Sequence, residues 1–98
     1  MNRAEVMSRL RDAELKIRAQ GATALYLYGS HARDEATAES DVDVFVDVAP
    51  GHPLDLSRFM EIYEVLSSSL ATRVDYTTRA GLIAFYRPAI ENEAIRVF

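Results

Sequence analysis

The sequence predicts an α/β (α+β) fold, a small mixed β-sheet with helices on one face, from three observations. DVDVFVDV at residues 41–48 alternates strictly with period two, ALYLY at 24–28 is a short apolar run stopped by Gly29, and apolar residues recur at helical spacing on both sides of these strands. Ninety-eight residues, 49% hydrophobic and 27% charged, suit one folded domain over 1–98, and no repeat, low-complexity run or long linker divides them. The net charge of −4 supplies no overall electrostatic footprint for a nucleic-acid backbone, so stable nucleic-acid binding is not expected. With no Cys, no apolar leader in MNRAEVMSRL and no run approaching a membrane span, the expected setting is cytoplasmic, away from any membrane.

The elements follow in order. Asn2 is placed as an N-cap with Glu5 three residues later, and Val6, Leu10, Ala13 and Ile17 mark one amphipathic helix ending near Gly21. After the first strand, SHARDEATAES at 30–40 is a polar loop with room for a short helix behind the glycine. In the second strand Val42, Val44, Val46 and Val48 share the core face, while Asp41, Asp43, Phe45 and Asp47 share an acidic one, with Asp47 expected at the surface. Asp55 caps the next helix, Leu54 and Phe59 form a hydrophobic staple, and Phe59, Ile62, Tyr63, Leu66 and Leu70 carry its stripe. TRVDYTT at 72–78 is β-branched and aromatic, a third strand with Val74 and Tyr76 opposite Asp75. In the tail Pro88 suits a first helical turn and Ile90, Ala94 and Val97 keep helical spacing, yet IRVF is equally compatible with an edge strand.

Strands two and three are joined through a helix, a crossover that makes them parallel and right-handed and brings their N-terminal ends together. Asp41, Asp43 and Asp75 then meet at one rim, and an antiparallel first strand would deliver Gly29 and Ser30 there too. Carboxylates at i and i+2 on one strand face lie roughly 6–7 Å apart at the backbone, close enough to share a hard cation. Mg²⁺ is the cation expected, because it relieves the repulsion of the three carboxylates and is held by few of them together with substrate phosphates. Asp75 is the candidate proton acceptor. Gly29 lets phosphates approach the backbone, Ser30 offers a hydroxyl and an N–H, and Arg33 can reach a phosphate bidentately. His31 and His52 have no metal-ligand spacing and are expected as polar surface residues, and the tyrosines are expected in the core, none being singled out to stack on a base.

LYLYGSHAR, then SDVDVFVD, then TRVDYTT, resembles the DNA polymerase β-like nucleotidyltransferase superfamily, in its minimal nucleotidyltransferase (MNT) branch, over nearly the whole chain. That family's Gly-Ser, Asp-x-Asp and later Asp correspond to Gly29, Ser30, Asp41, Asp43 and Asp75. The resemblance implies a Mg²⁺-dependent nucleotidyltransferase with these three aspartates as catalytic and metal-holding residues, and Gly29, Ser30 and Arg33 at the triphosphate. It also implies ATP as donor and a HEPN-type ribonuclease as protein acceptor, the two forming a toxin–antitoxin pair in which adenylylation silences the toxin. Members often carry Gly where this chain has Asp34, which implies a positive φ that Asp tolerates and one more negative charge near the phosphates. That charge favours the rival expectation, a binding module of the same fold that neutralises or scaffolds its partner by contact alone.

Overall fold

The computed structural model describes residues 1–98 as α1 (Arg3–Asp12), α2 (Glu14–Ala19), β1 (Ala22–Tyr28), α3 (Gly29–Ala32), β2 (Val42–Val48), α4 (Leu56–Leu70) and β3 (Val74–Thr78). A 3₁₀ turn (Arg79–Gly81), α5 (Arg87–Glu93) and β4 (Ile95–Arg96) complete the chain. The sheet order is β3-β2-β1-β4, with β1 antiparallel to both neighbours and β2 parallel to β3 across the α4 crossover, as the spacing of strands and helices requires.

Asn2 caps α1 by accepting the Glu5 N–H. The single N-terminal helix expected from the stripe is instead two: at Ala13 the path tightens, its N–H bonding Leu10 three residues back. The stripe survives the break because Val6, Leu10, Ala13 and Ile17 are all buried on one side. They pack with Ile62, Leu66 and Leu70 of α4 against Leu25 and Leu27 of β1 and Val42, Val44 and Val46 of β2. Asp55 caps α4 through the Arg58 N–H, and Ala71, at φ +53, ends it in the left-handed conformation. Phe59 stacks on Tyr76 at 4.4 Å, tying α4 to β3.

The opposite face of the sheet departs from the expected acidic, solvated surface. Phe45 is fully buried there, because the register sets it against Tyr26, whose ring stacks on it at 4.9 Å. The Arg79 guanidinium covers both rings at about 5 Å, binds Asp47 through two hydrogen bonds of 2.7 and 2.9 Å, and also donates to Glu91 of α5. Asp47 is therefore a half-buried ion-pair partner and not a surface residue. Pro88 lies in the first turn of α5, Ala94 ends that helix, and the ambiguous tail becomes an edge strand: Ile95 and Arg96 pair with Leu27 and Tyr26, the Val97 N–H donates to the Leu25 carbonyl, and the Leu25 N–H donates to that of Phe98. The open edge of β1 supplies unpaired backbone donors and acceptors that a helical tail would leave unmet. No helix is long and apolar enough to cross a membrane.

Candidate active site

Register builds the site. Asp43 is the partner of Asp75 across the parallel β2–β3 ladder and of Tyr28 across the antiparallel β1–β2 ladder, so these three residues stand side by side on adjacent strands. Asp41 lies immediately before β2, where Val42 bonds the Arg73 carbonyl. The expected rim is present: Asp41, Asp43 and Asp75 share it, with Gly29 and Ser30 arriving at the end of β1.

Gly29 adopts φ +74, and a Cβ built on it would lie 2.1 Å from Asp43 Oδ2 and 3.0 Å from Asp43 Cγ. Only glycine permits this conformation and this approach together. The chain then enters α3, Arg33 donating to the Gly29 carbonyl at 3.1 Å and Glu35 to that of Ser30 at 2.9 Å. Asp34 sits at φ +59, the left-handed conformation that the family resemblance implied at this position. His31, expected at the surface, is buried at 4% exposure, and its Nδ1–H donates to the Asp41 carbonyl at 3.2 Å. It pins the Gly29–Ser30 turn to the start of β2. A lone histidine inside a polar segment carries no periodicity, so its burial left no trace in the sequence pattern.

Asp43 is half-buried, and its carboxyl is pushed up to about 6, first by burial, then by the charges of Asp75 and Asp41, with Arg33 opposing and Glu93 adding to the rise. The Tyr28 hydroxyl is raised to about 12 by burial and by Asp75, Asp43 and Glu93. Asp41 Oδ1 lies 3.0 Å from Arg73 Nε without the alignment of a hydrogen bond. The carboxylates share the rim through their backbones, but their side chains do not close into a cage of three donors about one point. That is narrower than the convergence expected from topology.

Tyr28, Arg73 and Glu93 are the rim residues that sequence reasoning missed. Glu93, from the end of α5, accepts the Gly29 N–H at 3.0 Å and an Arg33 N–H at 3.0 Å, while Arg33 Nε reaches Glu35 at 3.3 Å. A cavity of about 230 Å³ opens beside Asp75 and is lined by Tyr28, Ile83, Tyr86 and Ile90 among others. The largest cavity, about 710 Å³, lies away from the carboxylate rim, near Val48, Leu54, Phe59 and Arg79. Charge and register, more than cavity size, make the rim the candidate site.

Residues 9–97 match the family model described as a nucleotidyltransferase domain. The chain belongs to the nucleotidyltransferase domain family. It is 35% identical over 72 residues to a provisionally named protein adenylyltransferase of Methanocaldococcus jannaschii, covering 72% of each chain. It is also 31% identical over 77 residues to the protein adenylyltransferase MntA of Thermococcus cleftensis, covering 79% of this chain and 76% of that one. A solved structure provisionally described as a minimal nucleotidyltransferase superposes with a TM-score of 0.78 at 32% identity over 97% of this chain and 95% of that one.

Two more distant structures share the fold of this nucleotidyltransferase. One is a toxin–antitoxin with AMP-PNP (TM-score 0.69, 20% identity, 100% of this chain and 73% of that one). The other is a tri-AMPylated Shewanella oneidensis HEPN toxin in complex with an MNT antitoxin (TM-score 0.65, 18% identity, 94% and 71%).

Proposed function

We propose that this nucleotidyltransferase, acting as one domain over 1–98, transfers AMP from ATP to a side-chain hydroxyl of a HEPN-type partner protein in a toxin–antitoxin pair. The observation that carries the reading is the Asp43–Asp75 pair on parallel strands, with Gly29 packed so closely on Asp43 that no side chain fits between. A triphosphate approaching the Gly29 turn would meet both the backbone donors and the carboxylate rim. Relatives named as protein adenylyltransferases support the same chemistry. The net charge of −4 favours a protein acceptor over a nucleic acid, and dependence on ATP suits a cytoplasmic setting.

Mg²⁺ fits the residues present. The rim offers oxygen donors alone, burial and then the charges of Asp75 and Asp41 have raised the Asp43 carboxyl, and Asp41 Oδ1 lacks an aligned partner. Asp41, Asp43 and Asp75 would hold the ion, which when bound offsets charge on the phosphates and on the departing pyrophosphate. The chain's own groups do the rest. The Gly29 and Ser30 N–H groups and the Ser30 hydroxyl hold the β- and γ-phosphates, and Arg33 binds a phosphate oxygen. The acceptor oxygen forms a bond to the α-phosphorus as the bond to the β-phosphate oxygen breaks, pyrophosphate leaves, and the hydroxyl proton passes to Asp75. The partner must bring that hydroxyl in line, an alignment worth on the order of 7–11 kcal/mol.

The test is incubation of purified chain and HEPN-type partner with Mg²⁺ and ATP, read by intact-protein mass spectrometry. The partner should gain one or more AMP groups, and Asp75→Asn should abolish the gain. A stable complex that never acquires AMP would instead support neutralisation by contact alone, the reading that the extra charge of Asp34 favours.

A further inference from the structure

Gly29 opens α3, so its N–H has no helical partner and must find one elsewhere. It finds Glu93, 64 residues away in the chain, whose Oε1 accepts it at 3.0 Å. The other oxygen of the same carboxylate accepts the Arg33 guanidinium at 3.0 Å. One side chain therefore spans a backbone amide and an arginine, two of the donors assigned above to the triphosphate. Two oxygens of one anion bridging an N–H and a guanidinium is also how a phosphate would meet them.

We propose that Glu93 is a built-in competitor for the donor triphosphate, occupying its Gly29 and Arg33 contacts in the free protein, so that nucleotide affinity is set by how readily Glu93 swings away. This inference rests on the triphosphate site proposed above and names its regulation. Release needs only a side-chain rotation. The α5 backbone is strapped on both sides of Glu93, by the Arg79–Glu91 ion pair and by the pairing of Ile95 with Leu27. The Glu93 side chain itself remains 29% exposed, which leaves a path into solvent. Docked, it neutralises the cation that opposes the raised Asp43 carboxyl and adds a fourth carboxylate to the surroundings of the aspartates. A triphosphate that displaces it gains Arg33 and the Gly29 amide together. A partner protein that drew Glu93 outward would raise donor affinity without touching the nucleotide, because apparent affinity scales with the fraction of molecules in the open state.

The experiment uses the full chain, Mg²⁺ and AMP-PNP in a calorimetric titration, with adenosine as the probe lacking phosphates. Glu93→Gln keeps an acceptor for the amide but removes the charge, and Glu93→Ala removes both. A partly exposed ion pair of this kind should make AMP-PNP bind roughly three- to tenfold more tightly once it is lost, with adenosine unchanged. Equal or weaker AMP-PNP binding by both folded variants would overturn the proposal and make Glu93 a support that orients Arg33. Arg33→Ala distinguishes the two levels of the argument. If it weakens AMP-PNP while both Glu93 variants leave binding unchanged, the competitor reading fails and the triphosphate site stands. If AMP-PNP binding is indifferent to Arg33 and Glu93 alike, or absent throughout, both readings fall.

Discussion

Asp43→Asn should abolish nucleotide transfer and at the same time stabilise the fold, and the size of the gain can be worked from the site. Folding raises the Asp43 carboxyl from 3.8 to about 6, through burial and through the charges of Asp75 and Asp41. A group whose pKa rises on folding contributes stability in full only below its unfolded value, and that contribution is lost as the pH climbs through the folded value. The window here runs from about pH 4 to about pH 6, and above it the ionised side chain works against the fold. At full strength the displacement corresponds to roughly 3 kcal/mol, and because Asp43 is half-buried, solvent screening reduces this to about 1–2 kcal/mol. Asparagine keeps the shape and removes the charge, so the melting temperature at pH 7.5 should rise by about 5–10 °C. Scanning calorimetry of both proteins without added metal, at pH 7.5, 5.5 and 3.5, measures the effect. The advantage of the variant should shrink through the window and vanish at its acid end, and Mg²⁺ should stabilise wild type more than the variant. A variant no more stable than wild type at pH 7.5, or one whose advantage persists unchanged at pH 3.5, would show that charge at position 43 is not what the fold tolerates there.

Three further outcomes are expected. Gly29→Ala forces φ +74 on a residue with a Cβ and drives that atom to 2.1 Å from Asp43 Oδ2, so it should cost about 1–2 kcal/mol in urea unfolding and weaken AMP-PNP binding tenfold or more by calorimetry. Asp34→Gly keeps a backbone at φ +59 that glycine adopts freely; stability should stay within about 1 kcal/mol of wild type, and loss of the charge should tighten AMP-PNP. Arg79→Met retains the aliphatic stem but leaves Asp47 and Glu91 without their cation, a loss of about 1–3 kcal/mol in chemical denaturation with transfer activity retained.

What was legible in the sequence was whatever depends on neighbours along the chain. The valine alternation of β2 and the Asp55 cap are local, decided within a few residues by pleat and capping, whereas the αL conformation at Asp34 was implied by the family resemblance. The parallel crossover followed from the α4 stripe between two strands, and with it the placing of Asp41, Asp43 and Asp75 along one rim, while the pairing of Asp43 with Asp75 is a matter of register. What escaped was decided by distant partners. Phe45 shares the face of Asp43 and Asp47 by strand period, and only Tyr26 across the ladder and Arg79 above make that middle position dry. Glu93 belongs to the carboxylate rim because β4 folds back along β1, a choice the sequence left open between helix and strand. The turn at Ala13 escaped for the opposite reason: the stripe stays in phase on both sides of it, so periodicity is blind to the break.

The same face of β2 shows why a strand end suits the proposed chemistry. Positions 43, 45 and 47 point the same way, yet each meets a different environment: a half-open rim, a fully buried middle, and a far end closed by Arg79. An uncompensated carboxylate is tolerable only at the first of these. In the middle, desolvation would push it toward the neutral form and remove its use as a ligand or base. At the far end a carboxylate survives because it is committed to a guanidinium, which leaves it little freedom for a cation or a substrate proton. At the rim, solvent limits the cost of three like charges to something a core of buried Val, Leu and Ile side chains can carry, and the carboxylates remain free to exchange partners. The destabilisation expected to disappear in Asp43→Asn is thus the stability the molecule gives up to keep an ionised, unpaired carboxylate where an incoming cation and triphosphate can meet it.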